Sequence, residues 1–124
     1  MVTPEISVRN PRATIWRYAS SRARLSSLVS DLPSFSCEDE AYGGMWIAPG
    51  VKPLAEARAA APGVSGPGSS WTPTLWTHQW QGGRIVYDAL GHASPSLDHP
   101  VHRRVVTRAA LWALGRSDDE IRKA

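Results

Sequence analysis

Two β-rich runs, Thr74–Trp80 and Arg84–Leu90, are separated only by Gln81, Gly82 and Gly83. Paired glycines accept the positive φ of a type I′ or II′ turn, so this stretch is predicted to form a β-hairpin. With Gly82 and Gly83 as the central residues, Gln81 falls opposite Arg84, His78 opposite Tyr87 and Trp76 opposite Ala89. The second run is nearly continuous in apolar character, the pattern of a strand covered on both faces. It ends at Leu90-Gly91-His92. A histidine just past a strand end is placed to face a crevice, because open α/β sheets present ligands beyond the carboxyl ends of their strands.

A polar loop leads from there to a predicted helix running to about Leu114. Asp98 is its expected cap, Pro100 lies in its first turn and Gly115 supplies the stop. Val101, Val105, Ala109 and Trp112 share one helical face, which leaves Arg103, Arg104 and Arg108 for solvent, along with His99 and His102 at the helix start. Ser117 and Glu120 have capping-box spacing in the tail.

Upstream the signals weaken. Ile6–Val8 reads as a short strand, and the Ser/Arg-rich stretch to about Leu32 has no sustained period. Phe35, Cys37 and Asp39 alternate with polar neighbours at strand spacing, then run into Glu38-Asp39-Glu40, Tyr42 and the Gly43-Gly44 turn. Val51–Arg58 suits a strand, although its alanines also suit a helix. Residues 61–70, APGVSGPGSS, are too poor in apolar side chains to pack and read as a loop.

At 124 residues the chain has room for one domain. Its charge of +3 contains no block of like charges, which argues against nucleic acid as the main partner. Lone Cys37 excludes an internal disulfide and a CxxC pair, consistent with a reducing cytoplasm. No signal-like segment or run of 18 apolar residues occurs, so neither export nor a membrane span is expected.

HEXXH, GXSXG, GXGXXG and P-loop motifs are all missing. The chemistry-bearing residues that remain are Glu40 and His92 as the candidate catalytic pair, with Tyr42, Trp76 and His78 as candidate ligand contacts. Glu40 fits a general base or metal ligand, and equally a surface charge among three acidic residues. His92 fits a site imidazole, and equally a loop histidine bonded to backbone. Cys37 reads as a small buried hydrophobe.

The segment PTLWTHQWQGGRIVYDALGH followed by DHPVHRRVVTRAALWALGR resembles the closing part of trehalose-utilisation (ThuA-like) domains. The likeness is carried by Pro73, Trp76, Thr77, Trp80, Gly83, Arg84, Leu90, Gly91, His92, Asp98, Pro100, Trp112, Ala113 and Gly115, with Phe35, Asp39, Glu40 and Tyr42 upstream. Gln81 stands where the family carries glycine, an extra residue separates Asp98 from Pro100, and Ser26-Ser27 replaces an expected His-Pro pair.

The resemblance implies an α/β, flavodoxin-like (class I glutamine-amidotransferase-like) fold of which this chain is the carboxyl-terminal portion. On that reading 1–27 is a poorly defined segment, 28–116 the ThuA-like portion and 117–124 a tail, and the leading βαβ units, roughly 30 residues each, are missing. It also implies a small-molecule carbohydrate as ligand, with Glu40 moving a proton, His92 polarising a carbonyl or hydroxyl and a divalent metal between them as an option. The alternative is a noncatalytic remnant or interaction module whose exposed strand edge drives self-association.

Overall fold

The computed structural model describes residues 14–37, 39, 46–59, 71–92 and 94–124. Five strands, β1 (Thr14–Tyr18), β2 (Phe35–Cys37), β3 (Lys52–Ala59), β4 (Thr72–Trp80) and β5 (Gly83–Asp88), form one sheet in the order β2-β1-β3-β4-β5. Among the described residues a 3-10 turn, Arg22–Leu25, follows β1, and three helices come after β5: α1 (Ser94–Leu97), α2 (Pro100–Ala113) and α3 (Asp118–Lys123).

Every strand pairing in this sheet is antiparallel. An antiparallel sheet is not typical of a flavodoxin-like fold, so the sheet does not confirm that expectation. A parallel pair needs a crossover of a dozen or more residues, usually a helix, whereas among the described residues all three helices come after the last strand. The mixed α/β composition, the hairpin and the terminal helix hold. The strand expected at Ile6–Val8 and the loop expected over 61–70 lie outside the described residues.

β1 escaped the sequence reading, although Thr, Ile, Trp and Tyr all favour strands. It lies between β2 and β3, with Thr14 and Trp16 buried and Arg17 exposed. Trp16 stacks on Phe35 at 5.1 Å between ring centroids and joins Leu28, Val29, Leu32, Leu54, Leu75 and Val105 in the core. The Tyr18 hydroxyl, within reach of the Val29 (2.8 Å) and Leu32 carbonyls, ties the residues after the 3-10 turn to the strand.

The hairpin forms with a different register. Trp80 pairs with Gly83, His78 with Ile85, Trp76 with Tyr87 and Leu75 with Asp88. The central turn residues are therefore Gln81 (φ +49°) and Gly82 (φ +80°), the doubly positive geometry of a type I′ turn. Moving the turn back by one residue shifts each cross-strand partner by two, so the side chains keep the faces predicted for them. β5 is an edge strand rather than an interior one, and its outward Ile85 and Tyr87 are each nearly half exposed.

α2 also departs from expectation. His99, not Asp98, is the cap: its ring Nδ1 accepts the Val101 N–H at 3.2 Å. His102 and Arg108, predicted for solvent, are each 1% exposed. Arg108 donates to the carbonyls of Ser27, Ser30 and Arg122, which explains how a cation is held inside. In the tail Ser117 caps α3, its Oγ accepting the Glu120 N–H at 3.2 Å and donating to Glu120 Oε1 at 3.3 Å, so the N-cap half of the expected capping box is present.

Candidate functional site

The turn that leaves β5 is held by its own main chain. Leu90 N–H donates to Asp88 Oδ1 at 3.0 Å, Gly91 N–H to Asp39 Oδ2 at 2.8 Å and His92 N–H to Asp39 Oδ1 at 3.1 Å. Three successive peptide N–H groups thus converge on two carboxylates, a concave arrangement suited to anionic oxygen. Asp39 is 1% exposed, and its own carbonyl accepts the Thr14 hydroxyl at 2.7 Å. Asp39 is thereby anchored both to β1 and to the turn carrying His92.

Gly91 is required there. Its φ is +115°, and a Cβ would lie 3.0 Å from Leu97 Cδ2 and 3.8 Å from His102 Cε1. Both the left-handed backbone and the approach of α1 and α2 favour glycine. His92 itself is exposed, as a residue meeting a ligand must be.

Behind the turn lies a polar cluster that the sequence reading missed. His102 Nε2 is 2.6 Å from Asp88 Oδ2, and Nδ1 is 2.9 Å from the Ser96 carbonyl and 3.1 Å from Ser96 Oγ. Burial pushes His102 down, but the hydrogen bond and charge of Asp88, the Ser96 carbonyl and the charge of Asp39 outweigh it and hold the imidazole above its ordinary range. An imidazolium matches the geometry, since both ring nitrogens face carbonyl or carboxylate oxygen. The order Ser-His-Asp invites comparison with a nucleophilic triad, yet Ser96 and His102 are almost wholly buried, so no substrate reaches the hydroxyl. The signal that could have found this cluster is the helical spacing of His102, Val105, Ala109 and Trp112, which places His102 on the buried stripe.

Cys37 is buried, as its apolar reading requires. Desolvation pushes its thiol up to about 11, with Ser96 partly opposing and Asp39 and Asp88 reinforcing the shift. It stays protonated at neutral pH and is no nucleophile.

Of the other candidates, Glu40 and Tyr42 lie outside the described residues. Trp76 and His78 are on β4, on the face opposite Leu75 and its partner Asp88. Trp76 stacks on Tyr87 at 4.4 Å and 4°, while His78 borders a cleft of about 380 Å³ with Gly50, Lys52, Thr77, Gln79 and Trp112. The Trp76 partner, Tyr87, is next to Asp88 and the His78 partner, Ile85, lies three positions before it on β5, both on the sheet face opposite Asp88. Among the described residues no group of three or more His, Cys, Asp or Glu side chains is arranged to hold a metal ion, and the nearest carboxylate to the turn, Asp39, already receives two N–H groups.

No helix among the described residues is long and apolar enough to cross a membrane. No curated protein matches the chain, and no solved structure does. A family model described as trehalose utilisation matches residues 9–113, a span that takes in the sheet, the Asp39 anchor, the His92 turn and all but the last helix, and on that match the chain belongs to the ThuA family.

Proposed function

We propose that the protein acts on a small carbohydrate in trehalose-related metabolism, at a crevice formed by the Leu90–His92 turn and the acidic segment after β2. The observation that carries this reading is the pair of hydrogen bonds from Gly91 and His92 to Asp39. They join the chain at residue 39, whose sequence neighbour is Glu40, to the backbone of the exposed histidine. Glu40 is assigned proton transfer to or from a sugar hydroxyl, His92 the polarisation of a hydroxyl or carbonyl, and Tyr42 a ligand contact. Trp76 and His78, on the other sheet face, have no part in it.

Family membership supports the carbohydrate class. On the same grounds we assign the described antiparallel sheet and terminal helices to the carboxyl-terminal part of a class I glutamine-amidotransferase-like, flavodoxin-type domain, with the ThuA-like portion over 28–116 and a cytoplasmic location.

Calorimetric titration of the full chain with trehalose and with an oxidised disaccharide tests the assignment. Glu40→Ala and His92→Ala are expected to weaken binding about tenfold or more, the scale of one hydrogen bond to a charged group. Equal binding by wild type and both variants, or none by wild type, overturns the proposal.

A further inference from the structure

Asp88 uses its two oxygens on different elements. Oδ1 receives the Leu90 N–H at 3.0 Å, and Oδ2 faces His102 Nε2 of α2 at 2.6 Å. The opposite ring nitrogen of His102 faces Ser96 of α1, the helix that follows the turn. One buried imidazole therefore spans from the residue before the turn to the helix after it.

We infer that the Asp88–His102 pair is a protonation-dependent latch that holds the Leu90–His92 turn in the shape presenting His92. With both nitrogens protonated, the ring donates to Asp88 and to the Ser96 carbonyl together. Loss of the Nδ1 proton leaves a lone pair facing the Ser96 carbonyl at 2.9 Å, which only a turned Ser96 hydroxyl at 3.1 Å can meet, and loss of the Nε2 proton leaves one facing Asp88 at 2.6 Å. The first replaces the charge-assisted hold on α1 with a weaker neutral hydrogen bond, and the second releases Asp88, which supports Leu90. Either way one charge-assisted contact beside the turn is lost. Asp39, which grips the middle of the turn, does not depend on the ring and sets the limit of the movement.

The charged and titratable groups around His102 are Asp88 on β5, Asp39 after β2, Cys37 on β2 and His99 on its own helix. The two carboxylates favour the cation. The Cys37 thiol is neutral through the relevant range. His99 is lowered by burial and by the charge of His102, so it gives up its proton more readily than His102, which is raised. The inference relies on the carbohydrate reading only for the use to which His92 is put, and its test contains no sugar.

The test is proton NMR of the full chain across about pH 5.5 to 9, following the His102 ring resonance together with amide protection factors of Leu90, Gly91 and His92. As the ring loses its proton, protection at Leu90 is expected to fall about tenfold or more, the scale of one charge-assisted hydrogen bond, with the same midpoint as the ring. In His102→Gln, whose amide donates to Asp88 without titrating, the step is expected to vanish while the turn stays ordered. In Asp88→Asn, which retains an acceptor for Leu90 but loses the charge, the ring midpoint is expected to move down and the protection step with it. Protection that stays flat through the ring's own titration in the wild type, or a step that survives unchanged in His102→Gln, overturns the latch.

Discussion

Arg108 spreads its guanidinium over three main-chain carbonyls, those of Ser27 (3.2 Å), Ser30 (2.8 Å) and Arg122 (2.7 Å). Arg122 lies in the last turn of α3, where unpaired carbonyls give a helix its negative end, so the cation meets partial charge rather than a carboxylate. Arg108→Ala leaves three acceptors unsatisfied and opens a void; it is expected to lower unfolding free energy by about 3 to 5 kcal/mol, measured by urea denaturation. Arg108→Lys is expected to recover only part of that, because an ammonium lacks the planar fork that reaches three directions. Gly91 gives a second prediction at this scale. Gly91→Ala meets both a strained φ and the Leu97 contact, and is expected to cost about 1 to 3 kcal/mol by the same assay and to perturb the His92 amide resonance. Neither Arg108 nor His102 was legible as a core residue. Hydropathy assigns arginine and histidine to water; helical spacing puts His102 on the buried stripe, and the tertiary positions of carbonyls and carboxylates are what make burying either residue possible.

At the scale of elements, what was local was readable. Hairpin, α2 and the Ser117 cap rest on signals within a few residues of each other, and all three formed. The details that failed turned on competing local choices. Three residues, Gln81, Gly82 and Gly83, offered two I′ placements, and the chain uses Gln81-Gly82, with glutamine in a left-handed conformation. That conformation costs a non-glycine residue about 1 kcal/mol, and asparagine tolerates it better than glutamine. Gln81→Asn is therefore expected to stabilise the protein by about 0.5 to 1 kcal/mol, seen as a higher Tm with strand pairing unchanged by NMR. The buried stripe of α2 also ran one residue wider than the apolar pattern: His102 flanks Val101 and Arg108 flanks Ala109, so of the three buried residues of α2, His102, Val105 and Arg108, the apolar reading named only Val105.

Across the whole molecule, strand order is the part no local pattern encodes. β1 reaches over the intervening chain to pair with both β2 and β3, and the Thr14–Asp39 and Asp39–His92 bonds close loops of 25 and 53 residues. Sequence placed Asp39 and His92 in one family pattern without showing that the first holds the second. These long closures put the titratable groups in one small interior, so pH should act on the molecule as a unit. His102 is raised in the folded protein, so its contribution is complete below the unfolded value of about 6.5 and is lost as pH climbs through the folded value. Cys37 is also raised, to about 11; the unfolded thiol ionises first, so stability drains away from about pH 8.5 upward. His99 works in the opposite sense, being lowered, and its contribution declines as pH drops through about 6.5 toward its folded value. The Tm difference between wild type and His102→Gln is therefore expected to be largest in mild acid and to shrink as pH rises. That between wild type and Cys37→Ala is expected to stay level until about pH 8.5 and then to fall. Scanning calorimetry of the three proteins over that range checks both, and parallel Tm curves throughout would show that neither group is coupled to folding.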